Sequence, residues 1–148
     1  MVIQHVLTLC MGNICRSPMA EGLLAQALPD CTVSSAGLGA MIGHPADSIA
    51  CELMKDRGIS IEHHRARQVS LDLCQRADLI LVMDLEQRRD IERRYPFVSG
   101  KVFRLCEQDK RDIPDPYRAG RAAFQNSLAL IEEGAKQWAN RISRVSSR

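Results

Sequence analysis

Short apolar runs alternate with amphipathic helical patterns along most of the chain, and this alternation constrains the fold more than any other feature. Such an alternation is typical of a parallel sheet whose strands are connected by helices. The predicted strands are residues 3–9, 31–36, 79–83 and 101–105, and the predicted helices are residues 18–28, 45–57, 85–95 and 124–142. We therefore predict an α/β fold, with a single four-stranded parallel sheet and helices on both of its faces.

The composition supports one domain over residues 1–148. Hydrophobic residues make up 45% and charged residues 26%, which suffices for a core without disulfides. The longest strongly apolar stretch, Leu79 to Met83, is far shorter than the ~20 residues of a membrane span. The formal net charge of +2 argues against a nucleic-acid-binding protein that works by bulk charge. No secretion signal is visible, so we expect a cytoplasmic protein that is monomeric or only weakly self-associating.

Six cysteines raise the question of which of them, if any, does chemistry. We expect reduced thiols, because a cytoplasmic compartment keeps them so. No CxxC pair occurs, and neither the cysteines nor His63–His64 have zinc-site spacing. We therefore expect no metal and no cofactor.

Two segments place an arginine six positions after a cysteine, and only one suits anion binding. Cys51 to Arg57 encloses two acidic residues and lies inside a predicted helix. Cys10 to Arg16 contains a glycine, an asparagine and no acid, and it joins a predicted strand to a predicted helix. Backbone N–H groups of such a loop can converge on a phosphate, and an arginine adds a bidentate fork. The same field favours a thiolate at Cys10.

The start of the first helix and one long loop complete the predicted site region. Ser17 is the expected N-cap, with Pro18 at the first helical position. Residues 106–118, CEQDKRDIPDPYR, contain two prolines and four acidic residues that keep them off the sheet. Loops of this length are uncommon unless they are functional.

Four segments of the chain closely resemble, in the same order, motifs of the low-molecular-weight protein tyrosine phosphatases. These segments are CMGNICRSPMAE from residue 10, SSAG from residue 34, HRARQ from residue 64 and DPY from residue 115. The resemblance implies that Cys10 attacks phosphorus and forms a phosphocysteine. It implies that Arg16 holds the phosphoryl oxygens together with the amides of the preceding loop, which comprises Met11, Gly12, Asn13, Ile14 and Cys15. It also implies that Asp115 protonates the leaving phenolate, with Asp112 as the local competitor for this role.

The supporting residues also follow from the resemblance. Ser17 matches the serine that stabilises the nucleophile as a thiolate. Asn13 matches an asparagine in the left-handed conformation that is held by a serine and a histidine, here Ser35 and either His64 or its neighbour His63. Cys15 matches a cysteine that can form a reversible disulfide with the nucleophile. The substrate pocket is predicted to include Leu38, Met41 and Tyr117.

The resemblance also implies a setting and two alternatives. The stretch SAGLGAMIGHPAD is similar to that of bacterial members linked to tyrosine autokinases of capsule and exopolysaccharide export, so the expected partner is a phosphotyrosine protein of that kind. Protein arginine phosphatases are similar but carry threonine where this chain has Ile14. Thioredoxin-coupled arsenate reductases share the fold but need two further cysteines close together, whereas Cys74 and Cys106 lie far apart.

Overall fold

A four-stranded sheet forms the centre of the protein in a computed structural model that describes residues 2–146. The strands are β1 (His5–Cys10), β2 (Thr32–Gly37), β3 (Leu79–Val82) and β4 (Val102–Arg104). Their order is β2-β1-β3-β4, and every neighbouring pair is parallel. The predicted α/β class and parallel sheet are confirmed.

The helices cover both faces of this sheet. They are α1 (Arg16–Ala27), α2 (Ser48–Lys55), α3 (Leu71–Arg76), α4 (Leu85–Arg94) and α5 (Arg121–Ser146), with a 3₁₀ helix over Pro96–Gly100. The sequence did not predict α3, because a six-residue helix with only Cys74 buried carries no detectable periodicity. The prediction that the second helix begins at Pro45 is wrong, since Asp47 caps α2 and accepts a hydrogen bond from Ile49 N.

Alternation along β1 divides the core between the two faces. Val6 and Cys10 point to the face covered by α1 and α5, whereas Leu7 and Leu9 point to the face covered by α3 and α4. The apolar stripe of α5, including Trp138, is buried in the first cluster as predicted. None of the described helices combines the length and apolar character that a membrane span requires.

The strand order locates the expected binding crevice. From β1 the chain moves to β2 on one side, and it later returns to β3 on the other side. Ligands of open α/β sheets bind outside the carboxyl ends of strands at such a switch point. The residue at the carboxyl end of β1 is Cys10.

Candidate active site

The loop between β1 and α1 is held from outside by its carbonyl groups. A Cβ at Gly37 would meet Met11 O at 2.6 Å, so this close approach requires glycine. The outer donors to the carbonyls of residues 10 to 14, in order, are Leu38 N at 3.0 Å, Gly39 N at 3.0 Å, Met41 N at 3.0 Å, His64 Nε2 at 2.6 Å and Asp47 N at 2.8 Å. A trans peptide directs its N–H opposite to its C=O, so the N–H groups of residues 11 to 15 face the inside of the loop.

The Asn13 side chain connects the loop to three other segments of the chain. The φ of Asn13 is +60°, the left-handed conformation that the resemblance implies, and its side chain is fully buried. Asn13 Nδ2 donates to Ser17 Oγ at 2.8 Å and to Ser35 Oγ at 3.0 Å, while Asn13 Oδ1 accepts from Arg67 N at 2.9 Å. The Arg67 N–H therefore fixes which way the amide points. His64 is the histidine of the pair that contacts this asparagine.

The Ser17 hydroxyl contacts the Cys10 sulfur and does not cap the helix. Its Oγ lies 2.9 Å from Cys10 Sγ, and it already accepts a hydrogen bond from Asn13. The hydroxyl proton of Ser17 can then be donated to the sulfur. The prediction that Ser17 caps the helix is wrong, because α1 begins one residue earlier, at Arg16.

The N-terminus of α1 differs from those of the next three helices. Asp47, Ser70 and Asp84 cap α2, α3 and α4 through their side chains. The N-cap position of α1 is Cys15, which makes no side-chain cap, and the first turn contains no acidic residue. The positive end of this helix is left for an external anion.

Arg16 is buried and held along one edge of its guanidinium group. Nη1 donates to Ile113 O at 2.8 Å and lies 3.5 Å from Asp84 Oδ2, while Nη2 lies 3.7 Å from Asp115 Oδ2. Nε is buried and has no hydrogen-bond partner among residues 2–146. An oxyanion bound inside the loop would supply the acceptor that Nε needs. Sequence analysis missed Asp84, although its position two residues after the end of β3 places it at the same sheet edge.

A cavity of about 170 Å³ opens above the loop. Its walls are Cys10, Met11, Gly12, Ile14, Cys15, Arg16, Gly39, Met41, Asp115 and Tyr117. Asp112 is absent from this set because its Oδ1 accepts from Arg104 Nη1 at 3.1 Å and from Leu85 N at 3.2 Å. Of the two candidate acids, only Asp115 lines the cavity that contains Cys10.

One predicted pocket residue is misplaced. Leu38 is 2% exposed and packs on the opposite face of the sheet, with Leu9 and Val69. Alternation beyond β2 explains the error, because neighbouring residues point to opposite sides. Gly39, the next residue of the same turn, lines the cavity instead, together with Met41 and Tyr117.

All six cysteines are free thiols, including Cys15, which adjoins the proposed nucleophile in the cavity wall. Burial strongly raises the pKa of Cys15, and the carboxylate of Asp47 raises it further. Cys15 therefore stays protonated at neutral pH beside Cys10.

Cys74 and Cys106 lie in the clusters on opposite faces of the sheet, so they form no pair. Within residues 2–146, no group of three or more His, Cys, Asp or Glu side chains is arranged to hold a metal ion.

Comparison with known families agrees with this geometry. The profile described as low molecular weight phosphotyrosine protein phosphatase matches residues 5–148. The chain belongs to this family. It is 52% identical, over 141 residues, to the probable low molecular weight protein-tyrosine-phosphatase EpsP of Ralstonia solanacearum, with 95% of this chain and 97% of that protein covered. The chain is accordingly an enzyme of the protein-tyrosine-phosphatase type.

Solved structures of phosphatases share the fold. Vibrio vulnificus Wzb in complex with benzylphosphonate superposes with a TM-score of 0.91 at 38% identity, covering 94% of this phosphatase and 99% of that chain. A variant of the arginine phosphatase YwlE with a phosphorylated active-site serine gives a TM-score of 0.88 at 26% identity, covering 95% of this chain and 96% of that chain.

Proposed function

We propose that the enzyme hydrolyses phosphotyrosine through a phosphocysteine formed on Cys10. The observation that carries this proposal is the 2.9 Å contact of Cys10 Sγ with Ser17 Oγ at the floor of a cavity whose wall includes Asp115. A nucleophile, an anion cradle and a proton donor share one small space. This set of groups is what phosphoryl transfer from a phenol requires.

In the first step the Cys10 thiolate attacks phosphorus in line with the leaving group. An Sγ–P bond forms while the P–O bond to the phenol breaks, and Asp115 gives its proton to the departing phenolate. The Arg16 guanidinium and the inward N–H groups of residues 11 to 15 hold the three equatorial oxygens. Protonation matters because a phenolate is a poor leaving group, and such general acid catalysis contributes ~10²–10⁴ in rate.

In the second step water attacks the phosphocysteine. The carboxylate of Asp115 accepts a proton from this water, a new P–O bond forms, and Cys10 leaves as a thiolate. Ser17 can donate its hydroxyl proton to that leaving sulfur, because a thiolate has no proton and can only accept, while Ser17 Oγ accepts from Asn13 at the same time. The products are inorganic phosphate and the free enzyme.

The cavity wall favours an aryl phosphate over a phosphoguanidine. Ile14, Met41 and Tyr117 contribute apolar and aromatic surface to the cavity wall, against which a substrate ring could pack. A phosphoarginine carries additional N–H groups, and the Ile14 side chain offers them no acceptor. The likeness to YwlE keeps arginine dephosphorylation as the alternative that an assay must address.

We propose that the physiological substrate is a tyrosine autokinase of exopolysaccharide or capsule export, acting with this enzyme in the cytoplasm. The support is the similarity to EpsP and the stretch over residues 35–47 that resembles bacterial phosphatases of this setting.

The test compares peptides that carry phosphotyrosine or phosphoarginine, with arsenate reduction as a third assay. We expect turnover of phosphotyrosine and a kcat/KM at least ~10²-fold lower for phosphoarginine, because Ile14 offers no acceptor. A preference for phosphoarginine, or thioredoxin-coupled reduction of arsenate, would contradict the proposal.

The acid is tested with two neighbouring aspartates. Asp115→Asn should lower kcat for aryl phosphates by ~10²–10⁴. Asp112→Asn is the matched control and should leave kcat within about 2-fold, because its carboxylate contacts Arg104 and lies outside the cavity wall. An equal or larger loss for Asp112→Asn would mean that the acid is assigned to the wrong residue.

A further inference from the structure

The loop that carries Asp115 continues into a tight turn over residues 116–119. Ala119 N donates to Pro116 O at 2.9 Å and closes the turn. Arg118 occupies the third position with a φ of +59°. Glycine or asparagine normally takes a third position with positive φ, because most L side chains are disfavoured there. Such departures from local preference are expected at functional positions.

This backbone conformation places a cation beside the mouth of the cavity. The Arg118 guanidinium lies over the Tyr117 ring, 5.1 Å from its centroid, and Tyr117 lines the cavity. Arg118 is exposed, and no carboxylate within the described part of the chain forms an ion pair with it. By contrast, the nearby Arg121 is paired with Glu52 at 2.6 Å. Arg118 is therefore an exposed guanidinium that lies over an aromatic ring of the cavity wall.

We propose that Arg118 binds an anionic side chain, carboxylate or phosphate, that flanks the phosphotyrosine of the protein substrate. The inference rests on the proposed function and deepens it. A phosphotyrosine ring that enters the cavity passes Tyr117, so the flanking residues cross the rim where Arg118 lies. The guanidinium fork pairs with two oxygens of a carboxylate or phosphate, and its position on the ring reduces the entropy lost on binding. Complementary charge of this kind selects among substrates.

Two glycine variants separate this role from a structural one. Arg118→Gly removes the guanidinium and relieves the positive φ, so the variant should unfold at the same urea concentration as the wild type or at a higher one. Lys110→Gly is the matched control. Lys110 is likewise an exposed cation with positive φ, +53°, in a turn that Lys110 N closes onto Glu107 O at 3.0 Å. It does not line the cavity.

The assay uses phosphotyrosine peptides that differ only at the flanking positions, which carry glutamine, glutamate or phosphoserine on either side. p-Nitrophenyl phosphate serves as the substrate without flanks. We expect the wild type to prefer the anionic peptides and Arg118→Gly to lower kcat/KM for them by about 2- to 5-fold, the range that an exposed ion pair provides. The glutamine peptide and p-nitrophenyl phosphate should change little. A larger loss for phosphoserine than for glutamate would identify phosphate as the preferred flank.

Three controls test whether the preference for anionic flanks depends on the charge of Arg118. Lys110→Gly should retain the wild-type preference, Arg118→Lys should restore part of it, and 0.5 M salt should weaken it. The inference is wrong if the wild type shows no preference, if Arg118→Gly keeps it, or if that variant affects all substrates equally and unfolds more readily. Failure of the proposed function looks different, since the wild type would then hydrolyse none of the peptides, and the inference would fall with it.

Discussion

Two segments of this chain share the spacing of a cysteine and an arginine, yet they make different contacts. Cys10 ends a strand and meets Ser17, whereas Cys51 lies within α2 and its Sγ donates to Ala46 O at 3.7 Å. Arg57 is used on the surface, with its Nε 3.0 Å from Glu132 Oε2. Burial and neighbouring carboxylates raise the pKa of Cys51 and keep it a thiol. The spacing by itself therefore carries no chemistry.

Helix capping shows what separates the two segments. Asp47 neutralises the N-terminus of α2 by accepting from Ile49 N. The N-terminus of α1 has no such cap, and a loop with inward N–H groups precedes it. The capped N-terminus of α2 therefore contributes to stability, whereas the uncapped N-terminus of α1 is available to bind an anion. Variants in the Cys51 segment should change the free energy of unfolding, and variants in the Cys10 segment should change the catalytic rate.

The largest difference is expected at the two cysteines. Cys10→Ser should reduce turnover of p-nitrophenyl phosphate by about 10⁴-fold or more, since a serine hydroxyl is a poor nucleophile without a base. Inorganic phosphate should still bind, which isothermal calorimetry can measure. Cys51→Ser should retain nearly full activity. Comparable activities for the two variants would remove the distinction between the segments.

The arginines should differ by less. Arg16→Lys should lower kcat by ~10²–10³, because an ammonium group cannot replace the guanidinium fork at Ile113 O and at the phosphoryl oxygens. Arg57→Lys keeps a charge near Glu132 and should leave steady-state kinetics unchanged within about 2-fold. Equal losses of kcat for the two variants would mean that Arg57 also takes part in catalysis.

The residues at the two helix starts should show opposite effects. Ser17→Ala should lower kcat by about 10- to 100-fold, the worth of a hydrogen bond to a charged sulfur. Asp47→Ala should leave kcat near the wild-type value and lower the free energy of unfolding by about 1 kcal/mol, the usual cost of a lost N-cap. Urea titrations and steady-state assays on both variants provide the comparison. A kcat loss for Asp47→Ala as large as that for Ser17→Ala would contradict this assignment.

The last comparison concerns the pH dependence of stability. Cys15 and Cys51 both have pKa values raised above the usual 9.0, so the folded protein keeps protons that the unfolded chain releases. Their stabilising effect is complete below pH 9 and is lost as pH rises above it, by at most about 1.4 kcal/mol per pH unit for each thiol. Cys15→Ala should flatten this decline more than Cys51→Ala, because Cys15 is the more buried. Urea unfolding between pH 7 and 10.5 in reductant measures the slopes, and identical slopes in both variants and the wild type would contradict the assignment.

Much of the architecture was predictable because periodicity is a local property. The strands, α1, α4 and α5 were placed within a few residues, and the stripe that ends near Trp138 lies in the core as expected. The short α3 and the true start of α2 were not predictable, since one and a half turns give no period and Pro45 resembles a first helical residue. Boundaries of this kind depend on caps and packing.

The sequence alone determined which residues could do the chemistry: one acid-free loop with a cysteine, an arginine and an asparagine suited to positive φ, and a late Asp-Pro-Tyr. Only the tertiary structure decided which of them meet. It placed Asp115 and not Asp112 in the wall of the cavity that contains Cys10, and it brought His64 rather than His63 to Asn13. It also placed Ser17 Oγ beside the Cys10 sulfur instead of at the helix cap, and it buried Leu38 on the opposite face of the sheet. The physical reason is that these contacts join segments up to a hundred residues apart, and their geometry is set by sheet order and packing rather than by local preference.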